Sequence, residues 1–272
     1  CHLKEGSVWD MHYLGWFDRR DPNGKIWAGL RSMDAVVARL AEIDAQMRSA
    51  GKGDAEPLIA WGFDPIYFGG ERMTVEHLDR VSKTRLIVVT NANGHMMNVN
   101  TAMLRLADVT RDNEVEGVVK FQGGANDGEP TGELQEPAAM FLVVRKIGES
   151  GILAPMTESG VRSFAALACM QGVTTATDLV NRLTDADCKV LESALADDNC
   201  SIRILPAFQA FHGTHGAALG AEHVKGLVSR NTDRLRYGLV KMMLDGSIQG
   251  FSARLRWPGY FNGAPNGIWV TA

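Results

Sequence analysis

Apolar residues recur at helical spacing over residues 33–48, where Val36, Val37, Leu40, Ile43 and Met47 share one face, Ser32 offers an N-cap and Gly51 a stop. Short apolar runs at 58–63 and 85–90 read as strands, with a Thr74-capped helix between them. The turn residues Asn91-Ala92-Asn93-Gly94-His95 lead into a predicted helix over 98–107, and the glycine-rich stretch 121–132 reads as a loop or hairpin. Helical periodicity returns over 135–147 and 158–170. Strands and helices are mixed in this half without a regular alternation, which predicts an α+β region.

From Gly172 the rhythm changes. The β-branched run 172–178 ends in Asp178, a helix follows over 185–198, a strand over 201–208, a mostly helical stretch over 220–229, and a strand over 239–244. Strand, helix, strand, helix, strand at this spacing predicts parallel βα units. In a closed barrel of such units the C-terminal ends of the strands line the active site. The residues so placed are Asp178, the Phe208–Gln209 corner with His212 and His215 behind it, and the segment from Lys241 to Asp245.

Lys241 is the oddity of the second half. It stands between Val240 and Met242 in a run that reads as a buried strand, where an unpaired ammonium group costs several kcal/mol. A lysine on the solvated face of an edge strand is one resolution, with its stem reaching water. A lysine taking part in chemistry at a barrel mouth is the other.

Composition narrows the classes. The chain has 272 residues, 45% hydrophobic and 22% charged, with net charge −4, which is ample for a folded core and gives no basic stripe for nucleic acid. No apolar run approaches the roughly 20 residues a membrane span requires. The four cysteines form no C-x-x-C pair, and a reducing, cytoplasmic setting is the expectation. There is no phosphate loop, dinucleotide fingerprint or G-x-S-x-G elbow. Both ends of the chain read as cuts through a longer protein.

Four motifs then share a family order: Gly94-His95-Met96-Met97-Asn98-Val99-Asn100, Gly128-Glu129-Pro130-Thr131-Gly132, Gly172-Val173-Thr174-Thr175, and the run from Lys241 through Asp245-Gly246-Ser247 to Gln249. Together they resemble the amidohydrolase superfamily, and within it the amidohydrolase-3, or YtcJ-like, branch. The resemblance implies an α/β fold, a partial TIM (β/α)8 barrel comprising strands 1–4, with an α+β insertion between strands 1 and 2. On that frame, residues 1–30 hold the end of strand 1 and its loop, 31–135 the insertion, and 136–272 barrel units 2–4. His2 takes the place of the second histidine of the family's metal-binding His-x-His, with Cys1 as spacer. Lys241 takes the place of the strand-four lysine that is often carboxylated to bridge two metals, which also resolves its buried charge. One or two divalent ions, zinc foremost, are therefore expected on His2 and Lys241.

Other polar residues carry weaker assignments. His95, Asp245 and Arg254 are expected to face substrate, Arg254 through the planar fork that suits a carboxylate. Asp245 would either orient the modified Lys241 or simply make the Asp-Gly turn. Asp64, Trp61, Glu129 and Glu136 are further candidates for the pocket border, with turn formation the plainer role for Asp64. The family's later ligands, histidines on strands five and six, and its catalytic Asp on strand eight have no counterpart before residue 272. The implied function is hydrolysis of a C–N bond in a small amide, formamide or cyclic amide by metal-activated water, in a half that is inactive alone. A homodimer is expected, and neither nucleic acid nor membrane is. The rivals are a non-catalytic barrel-derived binding domain and a lyase using Lys241 as a Schiff-base amine.

Overall fold

The computed structural model describes residues 2–148, 155–210, 216–242, 245 and 253–260. These divide into two compact units, one formed by residues 1–6 with 156–272, the other by residues 7–155. The division falls inside a 3-10 helix, Leu3–Asp10.

Unit 2 is built on a six-stranded mixed sheet. Its strands are β1 (His12–Tyr13), β4 (Leu58–Phe63), β5 (Ile87–Asn91), β6 (Met96–Val99), β7 (Val118–Lys120) and β8 (Pro130–Gln135), in the order β1-β4-β5-β6-β8-β7. The first three run parallel and the rest antiparallel. A separate two-strand hairpin, β2 (Arg19–Arg20) with β3 (Ile26–Trp27), closes over the Asp21-Pro22-Asn23-Gly24 turn. The helices are α1 (Met33–Ser49), α2 (Val75–Asp79), α3 (Thr101–Leu106) and α4 (Glu136–Ile147). Strand β5 shows why its first three positions, Ile87 to Val89, are all apolar. Ile87 and Val89 pack toward α1 with Val36, Leu40 and Ile43, while Val88 packs on the other face with Met103, Met140 and Val143. A strand covered on both faces has no polar side to show.

Two strands depart from the expected pattern. Residues 96–99 form β6 rather than the start of a helix, and α3 begins only after Asn100, whose Oδ1 accepts from Met103 N at 3.1 Å as its cap. The asparagines that give this segment its polar look are buried: Asn98 donates to Met73 O, and Asn100 to Ser82 O and Arg85 O, each at 2.8 Å. Residues 130–135 form β8 beyond the loop, with Glu133 buried on it because Arg72 pairs with its carboxylate and Gln135 Nε2 donates to it at 2.6 Å.

Unit 1 carries a three-stranded parallel sheet: β9 (Thr175–Asn181), β10 (Arg203–Ala210) and β11 (Leu239–Met242), in the order β11-β10-β9. Helices α5 (Glu158–Met170), α6 (Asp185–Ala196) and α7 (Gly216–Leu227) surround a core in which Val161, Ala176, Leu191, Ile204, Leu227 and Leu235 meet. Helix α6 opens on a reciprocal cap, with Asp187 N donating to Thr184 Oγ1 at 3.2 Å and Thr184 N to Asp187 Oδ2 at 3.0 Å. The alternation of strand and helix is therefore present as a parallel sheet, and that sheet is open among the described residues. Strand β11 differs from the buried strand expected of its sequence. Among the described residues it lies at the sheet edge, and Leu239 and Met242 are 40% and 46% exposed. Residues 243 and 244, which the sequence adds to this strand, lie outside the described residues. No helix among the described residues is long and apolar enough to cross a membrane.

Buried charge holds each unit in a distinct way. In unit 2 the Arg85 guanidinium is closed to solvent; it pairs with Asp44 and donates to Gly53 O at 2.7 Å, Glu56 O at 2.9 Å and Lys52 O at 2.9 Å. Arg85→Ala would leave Asp44 with Arg48 as its remaining cationic partner and deprive three carbonyls of their donor, and is expected to lower stability by about 3–5 kcal/mol in urea unfolding. In unit 1 the buried Tyr237 hydroxyl reaches Glu192, which Arg230 holds through two bonds of 2.6 and 2.9 Å. Burial first, then the adjacent Cys188 thiol, pushes the Tyr237 phenol up from its ordinary value of 10.0. A raised folded pKa stabilises the fold below the unfolded pKa, and that contribution is lost as pH climbs above it. The denaturant midpoint is thus expected to fall above about pH 10, and Tyr237→Phe to flatten that alkaline limb.

Candidate functional site

The expected metal ligands both belong to unit 1. His2 precedes the 3-10 helix, and Leu3, its neighbour, is anchored in the unit 1 core. Its ring faces β9: His2 Nδ1 lies 3.7 Å from Asp178 Oδ1. That nitrogen is buried and makes no hydrogen bond. Asp178 is 1% exposed, and its other oxygen accepts from Asn181 Nδ2 at 3.0 Å, while Asn181 Oδ1 accepts from Leu183 N at 2.9 Å.

The pairing of β9 with β10 explains how Asp178 comes to stand there. Asp178 is level with Pro206 and Asn181 with Phe208, so three steps on β9 oppose two on β10. Pro206 has no N–H to give, and a proline inside a sheet is tolerated at such a bulge. The bulge breaks the alternation of side chains, which lets Asn181 turn back onto Asp178.

Lys241 sits on β11, level with Gln209 of β10, and partly exposed. One residue earlier, Phe208 and Val240 face α7: a Cβ built on Gly220 would lie 3.1 Å from Phe208 and 3.2 Å from Val240. Gln209 and Lys241 therefore share the face turned away from α7. Among the described residues Lys241 makes no ion pair, and no hydrogen bond or ion pair joins it to His2. Exposure at an edge answers the charge question that its sequence neighbours raise, since the ammonium has access to water.

The remaining candidates are each held by local partners. His95, in unit 2, enters β6 and is bound to the first residue of α4, with Nδ1 3.1 Å from Glu136 Oε2 and its carbonyl accepting from Glu136 N at 2.8 Å. Asp245, in unit 1, is half-buried, and its Oδ2 accepts from Arg254 N at 2.9 Å, while the Arg254 side chain is exposed. Asp64 caps a 3-10 helix, Pro65–Phe68, accepting from Ile66 N at 3.1 Å. Trp61 packs in an aromatic cluster with Trp9 and Tyr13. Glu129 pairs with Arg111 at 3.0 Å. Cys1, His212, His215 and Gln249 lie outside the described residues.

A divalent ion is tested here by what His2 and Asp178 offer. A buried imidazole nitrogen with nothing bonded to it, facing a buried carboxylate, is a donor pair of the kind zinc takes. Among the described residues no group of three or more His, Cys, Asp and Glu gathers around one point. Sequence reasoning placed Asp178 at a strand end but gave it no partner. Nothing in a separation of 176 positions announces the contact with His2.

Comparisons with known proteins agree with the fold. The structure matches that of an uncharacterized metal-dependent hydrolase from Pyrococcus horikoshii OT3 with a TM-score of 0.53 and 17% identity, over 99% of this chain and 46% of that one. A second uncharacterized metal-dependent hydrolase, from Pyrococcus furiosus, matches with a TM-score of 0.52 and 18% identity, over 99% and 48%. The chain thus spans less than half the length of either structure. Among curated proteins no sequence matches significantly. The family model of the amidohydrolases matches residues 25–266, most of the chain and both units. On that match, the chain belongs to the amidohydrolase family.

Proposed function

We propose that this chain is part of a metal-dependent amidohydrolase that cleaves the C–N bond of a small amide, formamide or cyclic amide. The match to the amidohydrolase family over residues 25–266 carries this reading. The orphaned His2 Nδ1 beside a buried carboxylate supports it from the structure.

In this reading His2 is a neutral imidazole with its Nδ1 lone pair free, and Lys241 takes up carbon dioxide to become an anionic carbamate. Carboxylation replaces a cation with oxygen donors suited to zinc, and the edge position of β11 gives carbon dioxide and water a route to the amine. One or two divalent ions, zinc foremost, would supply Lewis acidity toward the substrate carbonyl and lower the pKa of a water molecule. Arg254 has the donor fork to pair with a substrate carboxylate, and Asp245 tethers the segment that carries it. His95, ordered by Glu136, is a further candidate substrate contact.

Two measurements test this. The chain by itself is expected to show no metal-dependent amide hydrolysis, and turnover that Lys241→Ala abolishes would overturn the view that it is an inactive half. Zinc uptake should rise when bicarbonate is added, with a carbon dioxide adduct on Lys241 visible by native mass spectrometry. Lys241→Met should remove the bicarbonate dependence while shifting stability by less than about 0.5 kcal/mol, as expected for a partly exposed edge residue.

A further inference from the structure

Strand β8 runs into helix α4 without a loop, and the joint is tied to the residue that precedes β6. Glu136, the first residue of α4, donates its N–H to the carbonyl of His95 at 2.8 Å, and its Oε2 lies 3.1 Å from His95 Nδ1. The His95 N–H in turn donates to Asn93 Oδ1 at 2.9 Å. Backbone and Nδ1 of His95 are thus all assigned. Its Nε2 makes no hydrogen bond or ion pair among the described residues, on a side chain that is 58% exposed.

Stability does not account for this joint. Glu136 holds φ at +63°, in the left-handed region that costs a non-glycine residue free energy. Pro137 behind it disfavours the right-handed helical region but leaves extended backbone open. An exposed ion pair gains little in water, and the Glu136 side chain is 62% exposed. What the left-handed turn accomplishes is geometric: it brings the N–H and the carboxylate of one residue onto the same histidine. A carboxylate accepts and has nothing to donate, so the proton of a neutral His95 lies on Nδ1. That is the opposite tautomer from the one a neutral histidine side chain favours in water. Nε2 then carries a lone pair on the side of the ring away from Glu136, able to accept from an N–H or O–H group.

We infer that Glu136 is a positioning residue, which fixes the tautomer of His95 and presents Nε2 as an acceptor for the N–H of a primary or secondary amide. The inference rests on the hydrolase reading above and deepens it by naming the substrate class: amides that keep a hydrogen on the scissile nitrogen fit this contact, and tertiary amides do not.

The test uses the 272-residue chain with heavy-nitrogen-labelled histidines, and His95→Gln to assign the His95 signals. Spectra are taken at about pH 8.5, above the ordinary imidazole range. Wild-type His95 is expected in the Nδ1–H pattern, and Glu136→Gln, which keeps an acceptor oxygen, should retain it. Glu136→Gly suits a φ of +63° and should fold alike by circular dichroism. In that variant the tautomer ratio should move toward Nε2–H by about three- to tenfold, the factor that one exposed hydrogen bond supplies. Acetamide added to the wild type should shift the Nε2 resonance, and N,N-dimethylacetamide, which has no N–H, should not. An Nε2–H pattern in the wild type, an unchanged ratio in Glu136→Gly, or equal responses to the two amides overturns the inference and leaves the hydrolase reading standing. The expected pattern and amide response in a chain that takes up no zinc with bicarbonate supports the role of Glu136 and overturns the metal-dependent reading instead.

Discussion

The middle strand of a parallel sheet must find partners for its main-chain groups on both edges, and β10 does so with a proline in it. Pro206 has no N–H to donate to a neighbouring strand. The pairing of β9 with β10 slips register between Pro206 and Phe208, and the slip places Asp178 and Asn181 against each other at the end of β9. Beyond the slip β10 pairs cleanly with β11 from Ala207 to Ala210, which sets Lys241 level with Gln209. The polar residues of unit 1 that bear on chemistry are thus positioned along the two edges of one strand.

Buried charge divides into two kinds in this molecule. Arg85 is surrounded: a carboxylate and three carbonyls account for its donors, and such a node stabilises without leaving anything to react. Glu192, with Arg230 and Tyr237 on it, is satisfied in the same sense. His2 is different, since its buried Nδ1 makes no hydrogen bond. Incomplete satisfaction in a closed setting is costly, and proteins keep it where something else completes the set.

Much of the architecture is legible in the sequence because local rules and burial agree. Helix α1 shows its apolar face at helical spacing, its Ser32 cap and its terminator, and β4 is a short apolar run bounded by turn formers. The parallel units from β9 onward follow from alternation alone. Strands β6 and β8 were hidden because burial contradicts their composition. Asn98 and Glu133 are polar residues in the interior, each held by a partner distant in sequence, and no local pattern announces that partner. The site is less legible than the fold. Family motifs pick out His2 and Lys241, but the geometry that makes Asp178 interesting is a distance across the chain. The two readings of Lys241 could not be separated in sequence for a related reason: apolar neighbours signal burial only when another layer covers them, and at the edge of an open sheet none of the described residues does.

That edge has a consequence for how the chain behaves in solution. A short parallel strand with Leu239 and Met242 turned partly to water, and with no strand beyond it among the described residues, is a template on which a second molecule can add a strand. A full charge in its centre opposes that, because two copies pairing there would bring like head groups together with little water between them. Lys241 meets this need as an ammonium ion and would meet it equally as a carbamate, since the sign changes and the repulsion does not. The residue with the strongest claim to chemistry on this sheet is therefore also its gatekeeper against aggregation.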